Sequence, residues 1–221
     1  MTFQRARSDS QREARRRAIL DTAAAMLREM PVTEVSLNEL SRRVGLAKSN
    51  VLRYFESREA VLLELLDDFL QSWLRELADG LAAGIDAGLP AVDRSEQLAE
   101  ILSRSLADRV VLCDLFGAQC GVLEHNVSVE IVRRHKRASH DSLATMVDLV
   151  RKHVPELGDG SQTVCLHTMI MAGALPAYCS PPPSLLAVYE AEPALAELHV
   201  DLHTALRLSI STAILGALPR S

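Results

Sequence analysis

Residues 35–66 read VSLNELSRRVGLAKSNVLRYFESREAVLLELL, and this stretch decides the fold. Ser36 and, three residues later, Glu39 have the spacing of a capping box, in which both side chains satisfy free backbone N–H groups at the start of a helix. Three apolar residues then recur at helical spacing: Leu37, Leu40 and Val44. Gly45 follows, where a helix ends favourably because glycine adopts positive φ. Residues 47–55 predict a second short helix, so the pair forms a helix-turn-helix.

The second short helix has an apolar side and a polar side. Val51 and Phe55 lie four residues apart and are expected to face the first helix. The outward residues offer amide, hydroxyl and methyl contacts to bases in a major groove, as well as cations for phosphate oxygens. We therefore predict a DNA-binding face that consists of Ser36, Asn38, Lys48, Ser49, Asn50, Leu52, Arg53, Tyr54 and Arg58. The alternative is a helical hairpin whose polar side is only solvated.

Four short motifs follow one another in this stretch: Gly45-Leu46, Lys48-Ser49-Asn50, Tyr54-Phe55 and Ser57-Arg58-Glu59-Ala60. With these motifs the first quarter of the chain resembles the DNA-binding domain of the tetracycline-repressor (TetR) family of bacterial regulators. The resemblance implies a DNA operator, a small effector and a homodimer. Leu52 departs from the family, which more often has Tyr at this position, so no operator preference is carried over.

Charge is divided unevenly along the chain, whose net charge is −5. Residues 1–58 contain 12 Lys and Arg against 7 Asp and Glu, whereas residues 59–221 contain 12 against 22. A basic head on an acidic body is typical of a protein that contacts phosphate at one end only. The distribution of charge therefore supports DNA binding, although the net charge alone argues against it.

The composition favours an all-α fold, because Ala and Leu are abundant and aromatic residues make up only 4% of the chain. We predict a helix-turn-helix DNA-binding domain over residues 1–60 and an effector-binding and dimerisation domain over residues 61–221. A helix of about 20 residues, capped by Ser57, is expected to link them. Residues 1–11 are expected to form a polar arm, in which Arg5 and Arg7 either contact DNA or have no role.

Further helix starts are predicted in the body from capping residues. Asp93 with Glu96 is expected to open a helix that ends near residue 107, and Ser128 to open one that ends near residue 153. The basic run 133–137 on the latter is expected to be a solvated face, with an anion site or second DNA contact as the alternative. Pro193 is expected to start the last helix.

The last two long helices, about 163–178 and 194–216, are predicted to form the dimer interface. They are rich in apolar and small residues, and one subunit has limited means to cover them on all sides. Pairing each helix with its symmetry mate in a four-helix bundle would cover them, and two-fold dimers are the commonest oligomers. Packing within one subunit is the alternative.

An apolar ligand pocket between body helices is predicted from large apolar residues with a few polar neighbours. The candidate lining residues are Phe69, Trp73, Phe116, Gln119, Cys120, Met146, His167 and Met171. Each of them is individually at least as compatible with a plain core position. The expected effector is small and apolar.

No cofactor and no catalytic site are expected, because the common nucleophile, phosphate-loop and metalloprotease motifs do not occur. His199 and His203 lie four residues apart, so a metal-responsive site on the last helix is a lower alternative. The four cysteines are expected to be buried free thiols. Without a signal-peptide core or a spanning apolar run, the chain is expected in the cytoplasm with no membrane partner.

These observations favour a dimeric transcriptional regulator, most simply a repressor that binds a near-palindromic operator and is released by its effector. One alternative is an activator, or a constitutive DNA-binding protein without an effector. The other is a helical enzyme or lipid-binding module whose hairpin is incidental. Binding to duplex DNA with a steep dependence on salt distinguishes the regulators from this last class.

Overall fold

A computed structural model describes the backbone of residues 2–219 and the side chains of residues 10–197 and 199–219. Its helices in chain order are α1 (Thr2–Met26), α2 (Leu37–Val44), α3 (Lys48–Val51), α4 (Arg58–Gly84), α5 (Ala91–Ala107), α6 (Val110–Ala118), α7 (Val129–His153), α8 (Gly160–Ala174), α9 (Pro176–Cys179), α10 (Pro183–Ala191) and α11 (Leu202–Ala217). Short 3₁₀ helices span Val32–Glu34, Pro155–Leu157 and Pro193–Leu198, and a π-helical turn spans Gln119–Leu123. The all-α prediction is confirmed, with no strand between residues 2 and 219.

The first three helices and the start of α4 form a small domain, called the head, around a shared apolar core. Ile19 and Met26 of α1, Leu40 of α2, and Val51 and Phe55 in and after α3 are all buried in it. The Ser36 hydroxyl accepts a hydrogen bond of 3.2 Å from the Glu39 backbone N–H, and Gly45 ends α2 with φ of 71°. The predicted helix start and the turn are therefore confirmed.

The Glu39 carboxylate does not complete the capping box. It instead accepts hydrogen bonds from the guanidinium groups of Arg42 and Arg43, one turn further along α2. The hydrogen bonds from Arg42 and Arg43 lower the pKa of Glu39 to about 2. The predicted reciprocal bond was thus wrong, because two cations on the same helix compete for the carboxylate.

The N-terminus differs from the prediction. Helix α1 begins at Thr2, so the segment that was expected to form a polar arm belongs to the first helix. The side chains of Arg5 and Arg7, to which a DNA contact was assigned, lie outside the described part of the structure.

Helix α4 runs from the head into the rest of the chain, called the body. Ser57 caps it by accepting a 3.1 Å hydrogen bond from the Ala60 N–H, as predicted, but its 27 residues exceed the expected length. Trp73 in its middle is fully buried, and its indole N–H donates to the Ser105 hydroxyl of α5 over 3.1 Å. The helix thus contributes side chains to the cores of both head and body.

In the body, α5, α6 and α7 pack against α4, α8 packs against α6 and α7, and α11 packs against α5 and α8. Helices α6 and α8 cross with their backbones in close contact at Gly117 and Gly173. A Cβ atom on Gly173 would lie 2.9 Å from the Gly117 backbone nitrogen, and one on Gly117 would lie 2.8 Å from the Gly173 carbonyl oxygen. Glycine is required at this crossing because real Cβ atoms do not approach so closely.

Two predicted helix starts in the body were wrong. Helix α5 begins at Ala91 after Pro90, so Asp93 lies inside the first turn instead of capping it. The last helix begins at Leu202, where the Asp201 carboxylate accepts a 3.0 Å hydrogen bond from the Thr204 N–H. Pro193 starts only a 3₁₀ helix that ends at Leu198. Proline fixes its own φ, which suits a helix start, but it cannot accept backbone N–H bonds as an Asp side chain does. Ser128, in contrast, caps α7 as predicted.

No single helix within residues 2–219 has the length and apolar character needed to cross a bilayer. The segments Gly160–Cys179 and Pro183–Ala191 reach that length and apolar character only when they are taken together, and the chain is bent between them.

The four cysteines are free thiols but differ in accessibility. Cys113 and Cys165 are buried, Cys179 is half-buried and Cys120 is exposed, so the prediction of four buried thiols was wrong for Cys120. Burial raises the pKa of the Cys113 thiol, and likewise that of Cys165, to about 12.

A thiol reagent at pH 8 is therefore expected to modify Cys120 rapidly. Cys113 and Cys165 are expected to react only after unfolding, because the thiolate is the reactive species and burial disfavours it. Mass spectrometry of tryptic peptides over time, with and without denaturant, measures the order. Early labelling of Cys113 would contradict the packing of α6 described above.

Candidate nucleic-acid interface

Helix α3 is shorter than the predicted second helix. Its α-helical part ends at Val51, and a tighter turn follows, in which the Tyr54 N–H donates to the Val51 carbonyl over 2.9 Å. Val51 is fully buried and Phe55 is 3% exposed. Both residues therefore face the head core, as expected, and they hold the intervening residues at the surface.

The outward side of this turn is polar and free. The side chains of Lys48, Ser49, Asn50 and Arg53 are exposed, and within the described side chains none of the four has a hydrogen-bond or ion-pair partner. Leu52 beside them is 41% exposed. The geometry thus brings together five of the nine predicted DNA-contacting residues on one surface, called the reading face below.

The other predicted DNA contacts differ in their surroundings. Asn38 is exposed at the start of α2, while the Ser36 hydroxyl is used in the helix cap. Tyr54 is half-buried. Arg58 donates a 2.9 Å hydrogen bond to the Val35 carbonyl and pairs with Glu59, so its guanidinium braces the head internally.

Arg16 has a structural role that the sequence did not reveal. Its guanidinium lies 4.3 Å from the centre of the Phe55 ring and donates a hydrogen bond of 3.1 Å to the Tyr54 carbonyl. It also forms an ion pair with Glu64 of α4. Arg16 therefore holds the end of the turn at residues 52–55 against α4. It belongs to a run of three arginines, residues 15–17, and the sequence gives no signal as to which of them is turned inward.

The head also contacts the body away from α4. The Val32 backbone N–H donates a hydrogen bond of 2.7 Å to the Asp114 carboxylate of α6. The Ser128 N–H at the start of α7 donates one of 2.5 Å to the Glu56 carboxylate. Glu64, which binds Arg16, is shared with Arg134 of α7 at 3.1 Å. Movements of α6 and α7 are thereby connected to the head.

The basic run 133–137 is exposed at four of its five residues, as predicted for a solvated face, but His135 is buried and several of the exposed side chains form ion pairs. Besides the pairing of Arg134, Lys136 lies 2.7 Å from the Glu124 carboxylate. His135 is only 2% exposed, and its Nδ1 lies 2.7 Å from the Asp67 carboxylate of α4. The run attaches α7 to its neighbours, and of its five residues only Arg137 has no described partner.

The predicted pocket residues are divided between two cavities. A cavity of about 600 Å³ between α4, α6, α7 and α8, called the body cavity, is lined by Phe116, Gln119 and Cys120. A second, of about 410 Å³ between α1, α4 and α6, is lined by Phe69 and Trp73.

The remaining three candidates line neither of these two cavities. Met146 is fully buried in the core and Met171 is half-buried. The His167 Nε2 atom lies 2.9 Å from the Ser209 hydroxyl of α11, so this histidine joins α8 to α11.

The two histidines considered for metal do not share a helix. His199 follows the 3₁₀ helix in extended conformation, and its ring lies 6.0 Å from that of Tyr189. His203 lies in α11, with its Nε2 3.4 Å from the Glu100 carboxylate. The assumed helical spacing was wrong because the last helix starts at Leu202.

Helices α8 and α11 pack side by side, and each carries large apolar side chains that are about half exposed or more. They are Leu166 (48%) and Ile170 (54%) on α8, and Leu208 (69%) and Leu215 (53%) on α11. An apolar surface of this kind on adjacent helices is typical of a protein interface.

Comparison with known proteins assigns both parts of the chain. The family profile described as "Bacterial regulatory proteins, tetR family" matches residues 19–65, and "Tetracyclin repressor-like, C-terminal domain" matches residues 67–221. The regulator EthR of Mycobacterium tuberculosis is 42% identical over 50 residues, which are 23% of each chain. The match therefore spans about a quarter of that curated relative.

Two solved structures share the fold over most of the chain. The fatty acid degradation regulator FadR from Bacillus halodurans has a TM-score of 0.54 at 13% identity, covering 91% of this chain and 98% of its own. FadR from Bacillus subtilis, in complex with stearoyl-CoA, has a TM-score of 0.53 at 12% identity with the same coverage. At such identity the likeness concerns the fold alone.

Proposed function

The chain belongs to the TetR family of DNA-binding transcriptional regulators, which are not enzymes, and from this premise we propose that it is a ligand-relieved repressor that binds a near-palindromic operator as a dimer. The observation that carries the proposal is the reading face: Lys48, Ser49, Asn50 and Arg53 are exposed on a positively charged head and have no partner among the described side chains. Buried Val51 and Phe55 support the face from behind.

The roles on the reading face follow from chemistry. Asn50 and Ser49 have the groups that hydrogen-bond base edges, and the Leu52 side chain suits a thymine methyl. Lys48 and Arg53 have the charge and reach for phosphate oxygens. Arg58 and Tyr54 make contacts within the head, so they would contribute to DNA binding mainly by holding the turn at residues 52–55 in place.

Dimerisation through α8 and α11 would bury their exposed apolar surface and place two heads on one side of the assembly. Two heads related by a two-fold axis would contact two half-sites in successive major grooves, so the proposed operator is near-palindromic. The His167–Ser209 hydrogen bond keeps α8 and α11 in register within each subunit and so preserves the shape of the proposed interface.

The body cavity is the proposed effector site, with Phe116, Gln119 and Cys120 among its lining residues. In helix α6, Phe116 lines the body cavity, and the Asp114 carboxylate accepts a hydrogen bond from the Val32 N–H of the head. An effector that binds best when α6 is displaced would therefore move the heads from the spacing that DNA requires. A ligand that bound both arrangements equally would shift nothing, and a differential affinity of about 1–3 kcal/mol is typical of such coupling.

Substitutions on the reading face separate recognition from attachment. Asn50→Ala is expected to reduce discrimination between operator and altered sites by about 1–3 kcal/mol, because it removes a base contact. Lys48→Ala is expected to weaken all sites alike and to reduce the salt slope by about one. Titrations of both variants on an operator selected from genomic fragments, at several salt concentrations, measure the two effects. Equal losses of discrimination would contradict these roles.

The proposed function is tested with the purified full chain and fragmented genomic duplex DNA. Retention of specific fragments with a steep salt dependence is expected, and a thermal-shift screen, in which we include an acyl-CoA, is expected to find a stabilising ligand that also releases the DNA. Absence of DNA binding at low salt would overturn the proposal. Footprints unchanged by ligand or cell extract would favour the constitutive alternative.

A further inference from the structure

One carboxylate connects the reading face to the body. The Glu64 side chain of α4 is 19% exposed, and its Oε2 atom accepts from two guanidinium groups at once. One belongs to Arg16 of the head, and the other belongs to Arg134 of α7, at 3.1 Å. Two cations on the same oxygen repel each other, so each arginine weakens the contact that the other makes.

On the head side, Arg16 supports the end of the reading face. Its guanidinium donates to the Tyr54 carbonyl over 3.1 Å and lies 4.3 Å from the centre of the Phe55 ring. Carbonyl groups at the end of a helix lack partners within the helix, and a cation there satisfies them. The strength of the contact between Glu64 and Arg16 therefore affects how firmly the turn at residues 52–55 is held, and with it Arg53.

On the body side, Arg134 lies close to the proposed effector site. Lys136, Ser139 and His140 of the same helix line the body cavity, and Arg134 precedes the first of them by two residues. A helix moves as a unit over so short a distance. A displacement of α7 at the cavity would therefore change the distance between Arg134 and Glu64.

We propose that Arg16 and Arg134 compete for the Glu64 carboxylate, and that the result sets how firmly each head presents its own reading face. Arg134 is then a positioning residue for DNA binding, although it lies outside the head. This inference rests on the proposed function, and it adds a change within each head to the change in spacing between heads. An effector that moved α7 towards α4 would draw the carboxylate from Arg16 and loosen the turn.

Arg134→Ala in the full-length chain tests the proposal. The substitution leaves Glu64 to Arg16 alone, so affinity for an operator selected from genomic fragments is expected to rise about two- to five-fold per head, the range that a partly exposed ion pair allows. Loss of a positive charge by itself weakens DNA binding. A gain in affinity therefore distinguishes this role from a general effect of charge or from damage to the fold.

Arg133→Ala is the matched control. The Arg133 side chain is 52% exposed, as is that of Arg134, but it pairs with Glu130 of its own helix. The control removes the same charge from the same helix without changing the contacts of Glu64, and no gain in affinity is expected. Equal affinities of the two variants, or weaker binding by Arg134→Ala, would overturn the proposal.

Two further measurements locate the effect within one head. On a duplex that carries a single half-site, Arg134→Ala is expected to show the same gain per head, whereas a gain confined to the full operator would overturn the proposal. In an Arg16→Ala background the effect of Arg134→Ala should disappear, because residues that act through a shared partner are not additive. Additive effects of the two substitutions would contradict competition for Glu64.

Hydrogen exchange reports the turn directly, and amides of residues 52–56 are expected to exchange several-fold more slowly in Arg134→Ala than in Arg133→Ala. Equal exchange in the two variants would contradict the proposal. A chain that does not bind DNA at low salt would overturn the proposed function and this inference together. A chain that binds its operator, but in which the two alanine variants behave alike, would overturn this inference alone.

Discussion

Replacing Leu208 by Glu is expected to convert the dimer to monomers and to lower operator affinity by about 100-fold or more, the usual contribution of a second linked binding module. Leu208 is 69% exposed on α11 in the isolated subunit, so the substitution costs the folded monomer little. In the dimer the same carboxylate would be buried without a partner, which is strongly unfavourable.

Light scattering and operator titration measure the two effects. Val129→Glu is the matched control, because Val129 is 73% exposed at the start of α7, away from the proposed interface. It should remain dimeric and bind normally. A Leu208→Glu variant that stays dimeric would exclude α11 from the interface.

Replacing Gly173 by Ala is expected to destabilise the protein by about 2 kcal/mol, within the range of overpacked cores. The added Cβ would lie 2.9 Å from both the Gly117 nitrogen and the Phe116 carbonyl carbon. These are backbone atoms, so α6 and α8 must move apart. For a chain of this size the melting temperature should fall by roughly 4 to 8 °C.

Gly80→Ala is the control, since it makes the same substitution inside a helix. A Cβ there meets only Ile101 Cγ2 at 3.7 Å, an ordinary contact. Without a clash, the helix propensity of alanine should stabilise this variant by up to about 1 kcal/mol. Thermal unfolding of both variants under the same conditions gives the comparison, and similar melting temperatures would show that the α6–α8 crossing is loose.

Local signals in the sequence predicted the head well. The Ser36 and Ser57 caps, the turn at Gly45 and the inward positions of Val51 and Phe55 depend on residues a few positions apart, and all are confirmed. The predicted start of the last helix was wrong because Pro193 and Asp201 are both residues that suit the beginning of a helix. Which one starts the long helix depends on packing against α5 and α8.

Contacts between distant residues could not be predicted from the sequence. The crossing of Gly117 and Gly173, and the division of the pocket candidates between two cavities, depend on how whole helices pack. The pairing of Arg16 with Glu64, and of Arg58 with the Val35 carbonyl, likewise follows from tertiary structure. The exposed polar residues after Gly45 needed no such information, because the buried positions beside them determine their direction.

The unbroken course of α4 from the head into the body restricts how such proteins diversify. One residue inserted into a helix turns everything beyond it by about 100° and advances it by about 1.5 Å. An insertion between Ser57 and Trp73 would therefore rotate each head away from its half-site and would also displace buried side chains of α4, such as Leu62 and Leu66, from their packed positions. New operator and effector combinations must then arise by recombination that preserves the helical phase, or by substitution at the surface, and not by changes in linker length.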